Sequence, residues 1–168
     1  GTEEGTKIEH PVHKVYLGEF RISRFEVRNI EFEIFQPSHT RSVSSPCDQC
    51  PVTMISWFEA DSYCKNKNGR LPSEAEWEKA ARGPSGNLYP WGSGPPKKRA
   101  SYGRKWRGIF TMTDVGAYSQ GVSLYGVHDM AGNVWEWCQE PIYPYDSFKI
   151  DPVYREMSYA FFGHKRVC

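Results

Sequence analysis

The sequence lacks the features that most directly assign a chain to a membrane or to nucleic acid. No apolar run approaches the roughly 20 residues that a membrane-spanning helix requires, so we expect no transmembrane segment. Lysine and arginine together number 21, against 20 aspartates and glutamates, and this near balance predicts no general attraction to anionic partners. Helix-turn-helix and RNA-binding patterns are also missing. We therefore expect no nucleic-acid partner.

The composition is typical of one domain with many loops. The 168 residues suffice for a single hydrophobic core, and we treat 1–168 as one domain. Aromatic residues make up 15% of the chain, and 12 prolines accompany 15 glycines. Large aromatic side chains bury much area per residue, whereas proline and glycine favour turns over long helices. The oligomeric state is not indicated.

Two helices are predicted by their first residues. Ser56 precedes Glu59 by three positions, and Ser73 precedes Glu76 in the same way. At this spacing a serine and a glutamate cap each other's backbone amides at a helix start. We expect the first helix to stop at Gly69 and the second at 83–84, because glycine suits the left-handed residue that ends a helix.

The N-terminal part predicts a strand followed by a helix. Apolar residues nearly alternate with polar ones over 13–22, which favours a strand. Over 25–35 they recur with helical spacing, and Asn29 is the expected cap.

The five cysteines bear on the redox setting. An odd number leaves at least one without a partner in the chain. Cys47 and Cys50 have a spacing that zinc and redox sites share, but no second ligand pair is evident. A local disulfide or two plain thiols is the favoured interpretation, and the pairing of Cys138 stays open.

An acidic segment is the candidate metal site. Asp129 and Glu136 are separated by a turn through Gly132, and calcium accepts both carboxylates and backbone carbonyls. The spacing is not that of an EF-hand. The alternative is a solvated acidic edge, with Trp135 and Trp137 packing into the core.

A basic stretch over 97–107 contains six lysines and arginines. A solvated loop is the favoured interpretation, and a site for an anion or an acidic partner is the alternative. The five histidines are scattered along the sequence, which does not predict a shared metal site.

Three segments, 51–57, 69–83 and 126–137, resemble the signature of the formylglycine-generating enzyme family, also called sulfatase-modifying factors. The resemblance covers most of the chain. It implies an α+β, C-type-lectin-like fold that is loop-rich, with few short helices and strands.

The same resemblance implies a ligand set and a disulfide. A structural calcium ion would be held by the side chains of Asp129 and Glu136 and by the carbonyls of Gly132 and Val134. Family members often join two cysteines in the positions of Cys64 and Cys168. A structural disulfide implies an oxidising compartment, and hence a periplasmic, cell-surface or secreted protein.

The resemblance ends after Glu140. Family oxidases place there a core strand and two cysteines that bind copper and oxidise a substrate cysteine. The interval 141–162 contains no cysteine, and copper(I) chemistry requires soft thiolate ligands. We expect a domain that is incomplete at its N-terminal strand and between about 141 and 162.

Two functions follow from this comparison. The first is a non-catalytic, calcium-stabilised binding or scaffold module with a protein partner in an extracytoplasmic assembly. It has no catalytic residues. The alternative is a copper-dependent formylglycine-generating oxidase that acts on a sulfatase cysteine through a segment absent from this sequence.

Overall fold

The computed structural model describes residues 12–141 and the backbone of 165–167. Loops dominate this part of the chain, as the glycine and proline content predicts. The segments 1–11 and 142–164, where missing core strands are expected, lie outside the described residues. The helices and strands, in chain order, are α1 (Asn29–Phe35), α2 (Trp57–Asn66), α3 (Glu74–Arg82), β1 (Lys105–Trp106), β2 (Ile109–Phe110), β3 (Trp137–Pro141) and β4 (Lys165–Val167).

Both predicted capping boxes are confirmed. The Ser56 hydroxyl accepts from the Glu59 amide, and Ser73 accepts from the Glu76 amide in the same way. Helix α3 ends at Gly83, whose φ of 68° is the left-handed value that glycine favours.

Two boundary details of the helices differ from the predictions. After α2 the left-handed residue is Asn68, with a φ of 59°, and Gly69 is not left-handed. Asparagine tolerates this conformation better than most residues. Helix α1 is capped by Arg28, so Asn29 is its first helical residue and not its cap.

The strand predicted over 13–22 is not present. This segment forms no ladder with any part of the described chain. Several of its side chains are exposed, with Tyr16 at 96% and Val15 at 53%. A strand depends on backbone bonds to a partner, and alternation along one segment does not supply that partner.

Helix α2 is fastened to strand β3 by two tryptophans that donate in opposite directions. The Trp57 indole donates to the Cys138 carbonyl at 2.8 Å. The Trp137 indole donates to the Ile55 carbonyl at 3.1 Å. Strand β3 also pairs antiparallel with β4. These bonds hold the segment that follows Glu136 against the start of α2.

Two apolar clusters form the core. One contains Ala80 and Ala81 of α3 with Val127 and Met130, and Trp77 packs against it. Val127 and Met130 lie close to Asp129 in the sequence, so the core anchors the start of the acidic segment.

The second apolar cluster is aromatic. Phe32 of α1 is fully buried and contacts Tyr63 of α2 at a centroid distance of 5.5 Å. Phe35 contacts both of these rings. Helices α1 and α2 are therefore joined through aromatic side chains, as the composition predicts.

The disulfide predicted between Cys64 and Cys168 is wrong, because Cys64 is a free cysteine. It lies on α2, where burial raises the pKa of its thiol. The structure joins Cys47 to Cys50 instead. Cys138 is also disulfide-bonded. Pairing depends on which cysteines meet in space, and spacing along the sequence does not decide that.

Candidate functional site: a cluster of three carboxylates

The acidic segment is a sharply turned loop. Asp129, Gly132 and Asn133 have φ values of 57°, 93° and 58°. The two non-glycine residues are held in a conformation that costs free energy and that persists where the surroundings enforce it. The His128 amide donates to the Arg24 carbonyl, which fixes one end of the turn.

Gly132 lies against the backbone of another loop. A Cβ atom at this position would come 2.3 Å from the Ser101 carbonyl oxygen. The next amide, that of Asn133, donates to the same oxygen at 2.8 Å. Both the positive φ and the close approach require glycine here.

Asp129 is buried, with 8% of its surface exposed. Its Oδ2 accepts a 2.6 Å hydrogen bond from the Gly116 amide. Burial raises the pKa of Asp129, while the Gly116 bond and His128 act in the opposite direction. A carboxylate in this position is costly unless a positive charge lies close to it.

Glu136 belongs to the same site. Burial raises its pKa to about 7, the Asp129 charge adds to the rise, and the Trp77 indole opposes it. The sequence predicts Asp129 and Glu136 as partners, and the structure places them close enough to repel each other.

Glu26 is a third carboxylate, which the sequence did not predict. Burial, then repulsion by Glu136 and by Asp129, raises its pKa to about 9. Its Oε1 is buried and has no hydrogen-bond partner. Its Oε2 accepts from the Asn133 side chain at 2.6 Å, and a backbone bond from Val134 also reaches it. No local pattern marks Glu26, because its partners lie more than a hundred positions further along the chain.

We call Glu26, Asp129 and Glu136 the acidic cluster. One buried and two half-buried carboxylates that repel one another, one with an orphaned oxygen, form an environment that a cation would stabilise. Calcium takes six to eight oxygen ligands and accepts carbonyls between carboxylates. The donor types present are those that calcium accepts, with Gly132 and Val134 as the carbonyl donors that the family resemblance implies. The carboxylate oxygens of the three acids do not all lie within 4.8 Å of one another in this structure.

We call residues 112–116 the tie segment. It connects the acidic cluster to the region around the Cys47–Cys50 disulfide. Two of its amides donate to the turn, at Asn133 Oδ1 and Asp129 Oδ2. Two others donate to the carbonyls of Ser44 and Gln49. The donors, in chain order, are Met112, Thr113, Val115 and Gly116.

Within residues 12–141, we find one group of three or more histidine, cysteine, aspartate or glutamate side chains whose possible metal-ligand atoms all lie within 4.8 Å of one another. It consists of Cys47, Cys50 and Asp114. The two cysteines are bonded to each other in this structure. The described histidines do not join such a set.

The end of the basic stretch, from Lys105 onward, belongs to a short hairpin. Strands β1 and β2 pair with Lys105 opposite Phe110, and the Lys105 ammonium lies 4.6 Å from the Phe110 ring centroid. Tyr102 and Phe110 are exposed by 58% and 57%. The hairpin is therefore a basic and aromatic surface.

No helix among the described residues is both long and apolar enough to cross a membrane.

Comparison with solved structures shows the fold. Treponema denticola variable protein 1 matches with a TM-score of 0.55 and 20% identity, over 74% of this chain and 63% of that one. The crystal structure of CarF matches with a TM-score of 0.54 and 22% identity, over 71% of this chain and 67% of that one.

Sequence relatives include proteins with different names. Hercynine oxygenase of Mycobacterium tuberculosis is 40% identical over 123 residues, which cover 70% of this chain and 28% of the relative. Serine/threonine-protein kinase pkn1 of Chlamydia pneumoniae is 34% identical, over 89% of this chain and 27% of the relative. Inactive C-alpha-formylglycine-generating enzyme 2 of Mus musculus is 37% identical, over 57% of this chain and 34% of the relative. The chain thus spans about a third or less of each of these relatives.

The model of the sulfatase-modifying factor enzyme 1-like domain matches residues 1–161, in agreement with the loop-rich α+β fold and with the motifs around both capped helices and the acidic turn. The chain belongs to this family of formylglycine-generating-enzyme-like domains.

Proposed function

We propose that this chain is a non-catalytic, calcium-stabilised binding or scaffold module of an extracytoplasmic assembly. The observation that carries the proposal is the acidic cluster. Calcium held by Asp129 and Glu136, with the carbonyls of Gly132 and Val134, would neutralise charges that otherwise repel one another. Its role is structural, because it fixes a turn on which other loops depend.

Glu26 extends the proposed ligand set to three carboxylates. Its Oε1 is buried without a hydrogen-bond partner, and a cation would satisfy it. A further carboxylate raises the charge of the site, and ligand charge is one of the variables that tunes calcium affinity.

The states of the cysteines support a non-catalytic role. Copper(I) chemistry of the family type needs two thiolates at one metal. Of the four cysteines in the described residues, Cys64 alone is a free thiol, and burial raises its pKa. The disulfides at Cys47–Cys50 and at Cys138 also support an oxidising location outside the cytoplasm.

The surface beside the acidic cluster supports a protein partner. A cavity of about 1690 Å³ is lined in part by the cluster itself, and this volume exceeds that of most small-molecule pockets. Two of its apolar lining residues, Met54 and Trp135, are exposed by 83% and 80%. Apolar patches that are larger than single side chains mark interaction surfaces, and these two side chains line one cavity.

The alternative function, a copper-dependent oxidation of a sulfatase cysteine, is favoured by membership of an enzyme-containing family. One experiment separates the two. The protein is incubated with copper(I), oxygen and a cysteine peptide of the sulfatase type, and the peptide mass is followed. An unchanged peptide is the expected result. Conversion of the cysteine to an aldehyde would establish the oxidase.

The calcium part is tested separately by thermal unfolding. An ion bound by the folded state alone stabilises it by about 2.7 kcal/mol at a hundredfold excess over Kd. Addition of calcium to chelator-treated protein should therefore raise Tm. Magnesium should be a poor substitute, because it requires tighter octahedral geometry. A melting curve that a chelator leaves unchanged would contradict the calcium site.

A further inference from the structure

The loop that contains Cys47 and Cys50 is held in place without its disulfide. Each of its four backbone carbonyls accepts a hydrogen bond from another part of the chain or from within the loop. The donors are the Asn29 side chain and the Cys50 amide to Cys47, and the amides of Ile30, Val115 and Asn29 to residues 48, 49 and 50. The S–S bond closes a loop with a sequence separation of 3, which restricts the unfolded chain little. The loop therefore has the means to keep its shape when the bond is reduced.

A carboxylate lies directly beside this bond. Asp114 Oδ1 is 3.0 Å from Cys47 Sγ, and the ligand atoms of Cys47, Cys50 and Asp114 all lie within 4.8 Å of one another. The nearby Arg41 guanidinium is bonded to Glu33 and Asp48. The positive charge of Arg41 is therefore already paired with these two carboxylates.

The negative charge of Asp114 beside the two sulfurs disfavours a reactive thiolate and favours a bound cation. A carboxylate beside a cysteine disfavours the thiolate, whereas redox-active cysteines have positive neighbours. Two thiolates and a carboxylate would bring three negative charges together. Sulfur and oxygen ligands at about 2.3 and 2.0–2.2 Å from one centre are typical of zinc. The ligand atoms of such a site lie within about 4.8 Å of one another, as these three atoms do.

We propose that reduction of the Cys47–Cys50 disulfide creates a site for a thiophilic divalent cation of the zinc class. A dithiol reductant gives two electrons and two protons to the S–S bond and is itself oxidised to a disulfide. Cation binding to both sulfurs and to Asp114 then releases the two thiol protons. Asp114 is exposed, so water completes the coordination shell. This site is independent of the proposed calcium site.

Cobalt(II) absorption tests this proposal, because thiolate–cobalt charge transfer is visible and zinc displaces it. The protein carries Cys64→Ser to remove the free thiol, is reduced with a phosphine, and is desalted without oxygen. We expect a charge-transfer band that saturates at one equivalent and disappears when zinc is added. The oxidised protein should show no band.

Three variants identify the ligands. Cys47→Ser with Cys50→Ser should abolish the band. Asp114→Asn should weaken cobalt binding by about tenfold or more, since even groups behind the ligands contribute that much. Asp48→Asn is the matched control, and it should bind as the parent does. Circular dichroism checks that each variant is folded.

Two results would overturn the proposal. The first is a reduced, folded parent that gives no cobalt band. The second is a band that persists in the double serine variant, since this would assign the metal to other thiols, such as that of Cys138.

Discussion

The backbone amide of Gly116 donates a 2.6 Å hydrogen bond to the carboxylate of Asp129, and this bond joins the tie segment to the acidic cluster. One carboxylate oxygen of Asp129 thus accepts a hydrogen bond that stabilises the fold. In the proposed site its other oxygen would bind the cation. A calcium ion at this position would therefore stabilise the tie segment as well as the turn.

Replacement of Glu136 by glutamine should remove most of the rise in Tm that calcium produces. Glutamine keeps the shape of the side chain but removes a formal charge, and calcium affinity depends on ligand charge. Differential scanning fluorimetry with calcium or chelator measures the effect. Glu19→Gln is the matched control, because Glu19 is an exposed glutamate, and this variant should keep the full response. An E136Q variant with an unchanged calcium response would remove Glu136 from the site.

Gly132→Ala should destabilise the protein far more than Gly103→Ala. Both glycines have positive φ values, 93° and 60°, so both variants incur a strain of about 1–3 kcal/mol. Only Gly132 would bring its new Cβ to 2.3 Å from the Ser101 oxygen, since Gly103 has nothing within 4 Å. Denaturant unfolding measures the difference. Equal losses in the free energy of unfolding would show that the Ser101 loop moves away from the added Cβ atom at little cost.

The capping box of α3 predicts a dependence of stability on pH. Hydrogen bonds from Arg70, then from the Ser73 backbone, hold the pKa of Glu76 down at about 2. Its folded-state pKa lies below the unfolded value, so its contribution is present above about pH 4.5 and is lost as pH falls toward 2. Glu76→Gln should therefore cost about 1–2 kcal/mol at neutral pH and little near pH 2.

Urea unfolding at several pH values measures this cost. Asp61→Asn is the control, because Asp61 pairs with Lys65 on the surface of α2. Such pairs contribute about 0–1 kcal/mol. A cost for Glu76→Gln that does not change with pH would mean that the charge of Glu76 is unimportant.

Peptide mapping without reduction should find Cys47 joined to Cys50 and Cys64 unmodified. Cys138 should be joined to a peptide from beyond residue 141, where Cys168 is the one cysteine in the sequence. The Cys64 thiol should react with an alkylating reagent mainly after unfolding, because it is half-buried and has a raised pKa. Rapid alkylation of Cys64 in the native protein would contradict this placement.

The sequence predicts best what short-range chemistry decides. Ser56 and Ser73 cap their helices because the interacting atoms lie within one turn, so three positions of sequence contain the whole interaction. The turn at Gly132 is predictable for the same reason. Asp129 and Glu136 flank that turn, and a local motif therefore places them together.

Long-range packing decides the rest. Glu26 joins the acidic cluster because the chain after it runs beside the turn, as the bond from His128 to Arg24 shows. The residues next to Glu26 in the sequence do not indicate this contact. Asn29 resembles a helix cap, but its side-chain amide is used to bind the Ser45 and Cys47 carbonyls. A buried polar side chain goes where unpaired groups need it, and that requirement is set by tertiary structure.

The tie segment belongs to no helix or strand, and yet four of its amides donate to four different places in the chain. Amide hydrogens in loops usually exchange quickly with solvent, because local opening is cheap. Here the four hydrogen bonds tie five consecutive residues to two parts of the chain, and we expect them to open together. We therefore expect Met112, Thr113, Val115 and Gly116 to exchange slowly and at a common rate. Hydrogen–deuterium exchange would then identify an irregular loop as one of the most cooperative units of the molecule.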